Sequence, residues 1–419
     1  MKPFFRIFLT STLLVQSLQA SDWPQWRGPD RSGVSLETRS LTSTFPEGGP
    51  KLLWQSEEKI PSGDDGGFGS PIVVDGKVYL SVVWHSDVPT PTRTIDALVM
   101  RALGGNGSGI SKEVRAKTEE ARMTRSPRLR GSALDDWVEK WMTENLSKEE
   151  QINYDWWVSG RIKKGRSAIS LDDIEKIRRV EGKVFENAEA FDAWVDNLDV
   201  SETVKEELYK KVPDTRKIAH DVVICLDAAT GKTTWKAEIE GEPTGRGSAS
   251  TPCFHEGRIY AAGSSRLFCV DASNGDIIWD VPNDTKGPAS SPMIYQNTII
   301  VAGNGLRALN IDDGVEKWTQ KEINHKNASP VIWDTGARPV IICNTKNETK
   351  GVDFASGNVL WTIPGGGDST PCVSGNSLAI HGKGAKGKPH RLMLFALADD
   401  AEPVLAWEVE NLTRRAASS

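Results

Sequence analysis

A repeat in the second half of the chain most constrains what this protein can fold into. Ser-Pro or Thr-Pro pairs recur along the sequence, and the last four lie 38 to 41 residues apart. The five pairs are Ser70-Pro71, Thr251-Pro252, Ser291-Pro292, Ser329-Pro330 and Thr370-Pro371. A fixed period of this length indicates a chain assembled from similar supersecondary units, each packed on its neighbours.

Two further markers follow the prolines in register, and the second is found in four of the five units. A turn residue five positions later predicts a tight hairpin between two short strands. A second turn then places a Gly four residues before a Trp; the Gly/Trp pairs are Gly231/Trp235, Gly275/Trp279, Gly314/Trp318 and Gly357/Trp361. Because proline cannot donate a ladder hydrogen bond, it is expected at the start of an edge strand. These markers therefore predict four antiparallel strands in each unit.

The 15 tryptophans are more than an average chain of 419 residues carries. One large flat ring per unit suits the wedge-shaped space between radially arranged sheets. We therefore predict an all-β fold, a β-propeller, with structural docking tryptophans at Trp54, Trp235, Trp279, Trp318, Trp361 and Trp407.

The stretch from Leu226 to Trp235, LDAATGKTTW, resembles the tryptophan-docking repeat of the pyrroloquinoline-quinone (PQQ) type propellers. The resemblance covers residues 50 to 85 and 220 to 419. The segment from Asp22 to Pro29 also resembles the opening of secreted bacterial PQQ-like repeat proteins. A WD40 propeller is the competing interpretation; it is disfavoured because Trp279-Asp280 is the one Trp-Asp pair at a repeated outer-strand tryptophan and no Gly-His opens a unit.

The markers predict an incomplete ring. Five prolines open units, but six tryptophans occupy outer-strand positions, and Trp54 precedes every opening proline. Trp54 is expected in a lone outer strand that closes the last blade. The final residues, 416 to 419, resemble residues 288 to 291, which directly precede Pro292. We expect about five of seven or eight blades, with the ring truncated at the C-terminus; a closed five-bladed ring in which Trp54 pairs with the fifth blade is the alternative.

A different region interrupts the first blade. The predicted organisation is a signal peptide (1–20), an N-terminal segment (21–49), the closing strand and start of blade one (50–85), an α-helical insertion (86–220) and the remaining blades (221–419). Apolar residues in the insertion recur with helical periodicity, and residues 101–220 hold 23 basic and 23 acidic residues. Trp156 and Trp157 are expected to pack on the propeller, although they could form a partner-binding pair.

The N-terminus has the layout of a cleavable signal peptide. Lys2 and Arg6 precede an apolar run, and small and polar residues follow, which predicts cleavage near Ala20 and a periplasmic or secreted protein. No later run approaches 18 apolar residues, so no membrane span is expected. The net charge of −6 argues against nucleic acid as a partner.

The sequence contains no Gly-x-Ser-x-Gly elbow, His-Glu-x-x-His motif, Walker loop or Cys-x-x-Cys motif. It therefore indicates neither a catalytic residue nor a metal site. The resemblance to PQQ-dependent dehydrogenases would imply bound quinone, Ca²⁺ and an adjacent cysteine pair. The five cysteines here are all separated and are expected to be small buried strand residues. We therefore favour a noncatalytic binding or assembly scaffold with protein partners in the cell envelope, as the resemblance to the PQQ-like subunit of the outer-membrane β-barrel assembly machinery implies. The alternative is a PQQ dehydrogenase with PQQ and calcium as cofactors.

If the propeller binds a ligand, the mouth of its central channel is the favoured place. Residues just before the first strand of each blade should converge there. The candidates are Asp65, Arg246, Lys286, His325, Lys326 and Asp368. Ordinary solvated loop residues would show the same pattern, and that alternative stays open.

Overall fold

The computed structural model describes residues 22–412 except 36, 38–43, 108, 245–247, 284–288, 383–389 and 400. Five antiparallel sheets of four strands follow one another along the chain, and in each sheet the strands lie in sequence order. The first strands of neighbouring sheets contact one another: Ile72–Val74 contacts Cys253–His255, which in turn contacts Met293–Tyr295. The sheets are therefore propeller blades with their first strands on the inner side, as the repeat predicted.

Blade one differs from the others in strand length. Its strands are β1 (Ile72–Val74), β2 (Lys77–Pro89), β5 (Thr215–Asp227) and β6 (Thr233–Gly241). Strands β2 and β5 pair along 13 residues each, from Lys77 opposite Asp227 to Pro89 opposite Thr215. The two long strands carry the chain from the blade into the insertion.

Blades two to five each begin with a short strand of three residues. Their strands are β7 (Cys253–His255), β8 (Arg258–Ala262), β9 (Arg266–Asp271) and β10 (Ile277–Pro282); β11 (Met293–Tyr295), β12 (Thr298–Gly303), β13 (Gly305–Asn310) and β14 (Glu316–Gln320); β15 (Val331–Trp333), β16 (Val340–Asn344), β17 (Glu348–Asp353) and β18 (Val359–Pro364); β19 (Cys372–Ser374), β20 (Ser377–Gly382), β21 (His390–Ala396) and β22 (Val404–Leu412).

The insertion is helical, as predicted, but its limits differ. A hydrogen bond from Thr90 N to Asp214 O closes its base, so the predicted limits of 86 and 220 fall inside β2 and β5. Its elements are β3 (Arg93–Thr94), α1 (Ala97–Ala102), α2 (Lys112–Thr124), α3 (Gly131–Asn145), α4 (Lys148–Lys164), α5 (Leu171–Arg178), β4 (Val184–Phe185), α6 (Ala188–Asp196) and α7 (Glu202–Lys211).

Two separate apolar cores hold the insertion together. One is shared by α1, α5, α6 and α7, and the other by α2, α3 and α4. Trp157 is buried in the second core rather than against the propeller, while Trp156 is 51% exposed. Among the described residues, no helix is long and apolar enough to cross a membrane.

The tryptophans tie each blade to the next. Four indoles donate a hydrogen bond from Nε1 to a backbone carbonyl in the second turn of the following blade: Trp54 to Ala228 (2.8 Å), Trp235 to Ala272 (3.1 Å), Trp279 to Ile311 (3.1 Å) and Trp318 to Phe354 (3.1 Å). The turn glycine lies under the ring. At Gly275 (φ +83°), for example, a Cβ would lie 2.6 Å from the Trp235 ring, so both the conformation and the space require glycine.

The two end tryptophans differ from the rest. Trp54 docks on blade one from a segment that forms no strand, so the predicted lone outer strand is not formed at this residue. Blade five has its own outer strand, β22, which contains Trp407; the alternative pairing of Trp54 with blade five is therefore not formed. Trp407 is 44% exposed, whereas Trp361 is 6% exposed and packs against blade five.

Candidate functional site

A chain of hydrogen bonds runs along the inner ends of the blades. In each step, the backbone N–H of the residue before a repeat proline donates to the corresponding hydroxyl of the next blade. The steps are Ser70 to Thr251 (2.9 Å), Thr251 to Ser291 (3.0 Å), Ser291 to Ser329 (3.1 Å) and Ser329 to Thr370 (2.9 Å). Sequence reasoning used these residues for alignment but missed this role. The available signal was that all five positions are Ser or Thr.

The segment Asp22–Gly33 lies on the inner side of blades one to three. Trp23 forms an antiparallel bridge with Val73 of β1, with hydrogen bonds of 2.7 and 3.1 Å. Phe254 of β7 donates its backbone N–H to the carbonyl of Pro24 at 2.7 Å. The segment thus forms hydrogen bonds with backbone groups at the inner edges of two blades. The sequence did not predict this contact.

The same segment places a buried cation beside blade three. Arg31 is 5% exposed and donates from Nη1 to the carbonyl of Pro292 (3.0 Å) and from Nη2 to that of Ser291 (3.5 Å). Burial lowers its pKa to about 10, so it remains charged at neutral pH. Within the described part of the chain, no carboxylate forms an ion pair with Arg31.

Nearby cysteines stay neutral. Four of the five are buried and Cys372 is half-buried, and none forms a disulfide among the described residues. Burial raises the pKa of Cys253 to about 12 and also raises that of Cys343. These thiols are therefore protonated at neutral pH and supply no thiolate for metal binding or nucleophilic attack.

The predicted mouth residues are only partly brought together. His325 Nε2 lies 3.2 Å from Asp368 Oδ1 and 3.0 Å from the Gly367 carbonyl, which joins the loops before blades four and five. Lys326 follows in the same loop. Asp65 instead pairs with Lys217 of β5 at 3.2 Å. Arg246 and Lys286 lie outside the described residues.

The residues on the inner side do not fit a quinone–calcium pair. Ca²⁺ requires several oxygen ligands, usually including carboxylates. In the described ranges no group of three or more His, Cys, Asp or Glu residues could hold a metal ion. The inner side presents Ser and Thr hydroxyls and the guanidinium of Arg31, which repels a cation.

The matching family model agrees with this architecture. Residues 219–364 match the PQQ-type repeat model described as outer membrane protein assembly factor BamB. The matched residues run from the second half of blade one to the end of blade four, and this part of the chain is similar to PQQ-like propeller repeats. The PQQ-type β-propeller with a helical insertion in blade one, predicted from the sequence, is confirmed as a fold. Among curated proteins, none matches the chain.

Several solved structures are similar to part of the chain. BamB from Moraxella catarrhalis is 13% identical, with 47% of this chain and 62% of that chain covered and a TM-score of 0.37. A europium-containing methanol dehydrogenase is 10% identical over 46% of this chain and 60% of that chain, with a TM-score of 0.35. The computationally designed Ika8 protein is 10% identical over 47% and 59%, with a TM-score of 0.33. The chain thus spans less than two thirds of each of these structures.

Proposed function

We propose that this PQQ-like propeller is a noncatalytic binding and assembly scaffold. The observation that carries the proposal is the segment Asp22–Gly33, which occupies the inner side of blades one to three with its own backbone and with Arg31. A propeller enzyme needs this side for its cofactor and substrate, whereas a scaffold can fill it and use its outer surfaces. The match to the model described as an assembly factor supports the same class of function.

We further propose that the protein works in the periplasm or outside the cell, after cleavage near Ala20. The support is the basic, apolar and small-residue order of residues 1–20, which lie outside the described structure. Its partners would then be proteins of the cell envelope. N-terminal sequencing of the secreted or periplasmic form should begin at or next to Ser21, and a retained Met1 would contradict the proposed location.

The favoured partner contact is the loop pair that carries His325, Lys326 and Asp368. These side chains are half-buried or exposed and lie between two blades. The contact between His325 and Asp368 orients both loops, and Asn327 donates to the same carboxylate at 3.1 Å. A polar, partly exposed loop surface of this kind suits recognition of a protein rather than enclosure of a small molecule.

A pull-down from envelope extract of the source cells tests the proposal. The full-length protein is compared with the double variant His325→Ala/Asp368→Ala. The matched control is Arg258→Ala/Asp312→Ala, which removes another pair of side chains that joins neighbouring blades, 3.0 Å apart. We expect a partner to be recovered with the wild type and with the control, and to be lost with His325→Ala/Asp368→Ala.

Two outcomes would contradict the proposal. Recovery of no partner by the folded wild type would argue against a scaffold. A titration of the same protein with PQQ and Ca²⁺ that gave saturable quinone binding with dye reduction would show the dehydrogenase instead. Equal recovery of the partner by His325→Ala/Asp368→Ala would still indicate a scaffold, but its partner contact would then lie elsewhere on the protein.

A further inference from the structure

We infer that the inner side of blades one to three is a binding groove for a peptide that pairs with a strand edge and then turns, and that Asp22–Gly33 occupies this groove in cis. The inference does not depend on the proposed scaffold function. It assigns a binding surface and a partner chemistry: a turn-containing peptide that carries tryptophan and arginine in the spacing of Trp23, Trp26 and Arg31.

The first element of the groove is a pair of open backbone edges. Strand β1 exchanges two hydrogen bonds with Trp23, through the N–H and the carbonyl of Val73. The next blade adds one more, from Phe254 N to the Pro24 carbonyl. Backbone pairing of this kind, in which an extended peptide is added to a strand edge, is a general mode of peptide recognition.

The second element is a buried aromatic side chain of the segment, which lies beside two arginines of the same segment. Trp26 is 5% exposed, although it belongs to a segment without a sheet of its own. The guanidinium carbons of Arg27 and Arg31 lie 4.3 and 5.4 Å from its ring centroid. Burial of the Trp26 indole stabilises the seated segment by about 2–3 kcal/mol from its apolar area alone, and the two guanidinium groups over its ring add a cation–π attraction. Trp26 is therefore the main anchor.

The third element is a carbonyl site for arginine. The carbonyls of Ser291 and Pro292 accept from Arg31, and Gln25 of the segment itself accepts from Nη1 at 3.1 Å. Two adjacent backbone carbonyls aimed at one guanidinium select a multiple hydrogen-bond donor. Among the side chains, the planar fork of arginine meets that requirement best.

The contacts end where the segment ends. Val34 is 59% exposed and Ser35 is exposed, while Trp26, Gly28 and Arg31 are buried. Internal turns also shape the segment: Gly28 N donates to Gln25 O and Gly33 N to Arg27 O, at 3.0 and 2.9 Å. The segment is thus a compact unit with its own recognition residues, attached to blade one through the chain after Gly33.

A cleavable form of the full chain tests the groove. A protease site is inserted between Gly33 and Thr44, and the folded protein is cut. A fluorescent synthetic peptide of residues 22–34 is then added, and its anisotropy is measured. We expect one peptide to bind each cut chain and none to bind the uncut chain, because the tethered segment holds the groove at high effective concentration. If the cut segment stays with the blades on gel filtration, the labelled peptide should exchange with it, whereas it cannot exchange with the tethered segment of the uncut chain.

The matched control is the same peptide with Trp26→Ala and Arg31→Ala, which we expect to bind at least tenfold more weakly. Loss of the cut segment without binding of the wild-type peptide would overturn the inference. Equal binding of the control peptide, or equal binding by cut and uncut chains, would overturn it as well.

If the cut chain does not stay folded, amide hydrogen exchange in the uncut chain tests whether the segment is seated in the groove. In the uncut full chain, the amides of Val73 and Phe254 should be protected, and Arg31→Ala should speed their exchange at least tenfold. The amides of β16 in blade four serve as the internal reference and should not change. Unprotected Val73 and Phe254 amides in the wild type would mean that the segment is not seated in the groove.

Discussion

The indole of Trp279 in blade two donates a hydrogen bond of 3.1 Å to the carbonyl of Ile311 in blade three, and this bond repeats between other neighbouring blades. The ring also packs over the turn of the next blade. Each tryptophan therefore combines an apolar wedge with a directional bond between sheets that share no strand pairing.

Replacement of Trp279 should weaken the contact between blades two and three. Trp279 is 9% exposed, so Trp279→Ala should lower the free energy of unfolding by about 3–5 kcal/mol. Trp279→Phe keeps much of the apolar area and leaves the carbonyl unpaired, with an expected loss of about 1–3 kcal/mol. Urea unfolding followed by circular dichroism measures both. The control is Trp407→Ala at 44% exposure; an equal loss there would contradict the docking role.

Removal of one hydroxyl from the inner chain of hydrogen bonds should be costly. Ser291 is 3% exposed, and its Oγ accepts from Thr251 N. Ser291→Ala leaves that buried N–H unpaired and should cost about 1–3 kcal/mol in urea unfolding. Ser291→Thr keeps the hydroxyl and should recover most of this loss, because Thr occupies the same position in blades two and five. Ser374→Ala, on an exposed residue, should have no effect.

Acid should lower the stability of the helical insertion by protonating Glu119. Burial pushes the pKa of Glu119 up, but hydrogen bonds from Arg122 and Arg161 outweigh it and hold the pKa below its ordinary value of 4.5. The stability that Glu119 contributes is therefore present above pH 4.5 and is lost as the pH falls through the lower folded-state value.

The variant Glu119→Gln should lose about 3 kcal/mol at pH 7, because both arginines are 5% exposed and each would lose a charged partner. The difference from the wild type should shrink on acidification, as followed by helical circular dichroism during urea unfolding. Glu113→Gln, which removes an exposed carboxylate that pairs with Lys117, is the control and should change little. A pH-independent gap between Glu119→Gln and the wild type would contradict the mechanism.

Gly263 should not tolerate a side chain. Asp221 is fully buried and accepts from Ser264 N (2.6 Å) and Ser264 Oγ (2.8 Å), which joins blade one to blade two. A Cβ at Gly263 would overlap the Asp221 carboxylate. Gly263→Ala should therefore lower the melting temperature, with a loss of about 1–3 kcal/mol. Gly160→Ala, in helix α4 with open space around it, is the matched substitution and should be neutral or stabilising.

The blades were predictable because their markers are local. The proline that opens a strand, the turn glycine and the tryptophan four residues later lie close together in the sequence of one unit, and their repetition indicates five blades. The helical insertion was predictable for the same reason, since apolar periodicity is a property of neighbouring residues. Its limits were less predictable because β2 and β5 continue beyond the core of the blade by pairing with each other.

The inner side was decided by tertiary structure. Arg31 meets Ser291 across 260 residues of sequence, and its partner is a backbone carbonyl, which has no signature in the sequence. The candidate mouth shows the same limit. His325 and Asp368 meet because consecutive blades bring their loops together, whereas Asp65 pairs with Lys217 on the elongated β5. Local chemistry determined the repeated unit, and the packing of distant units determined which polar groups face one another.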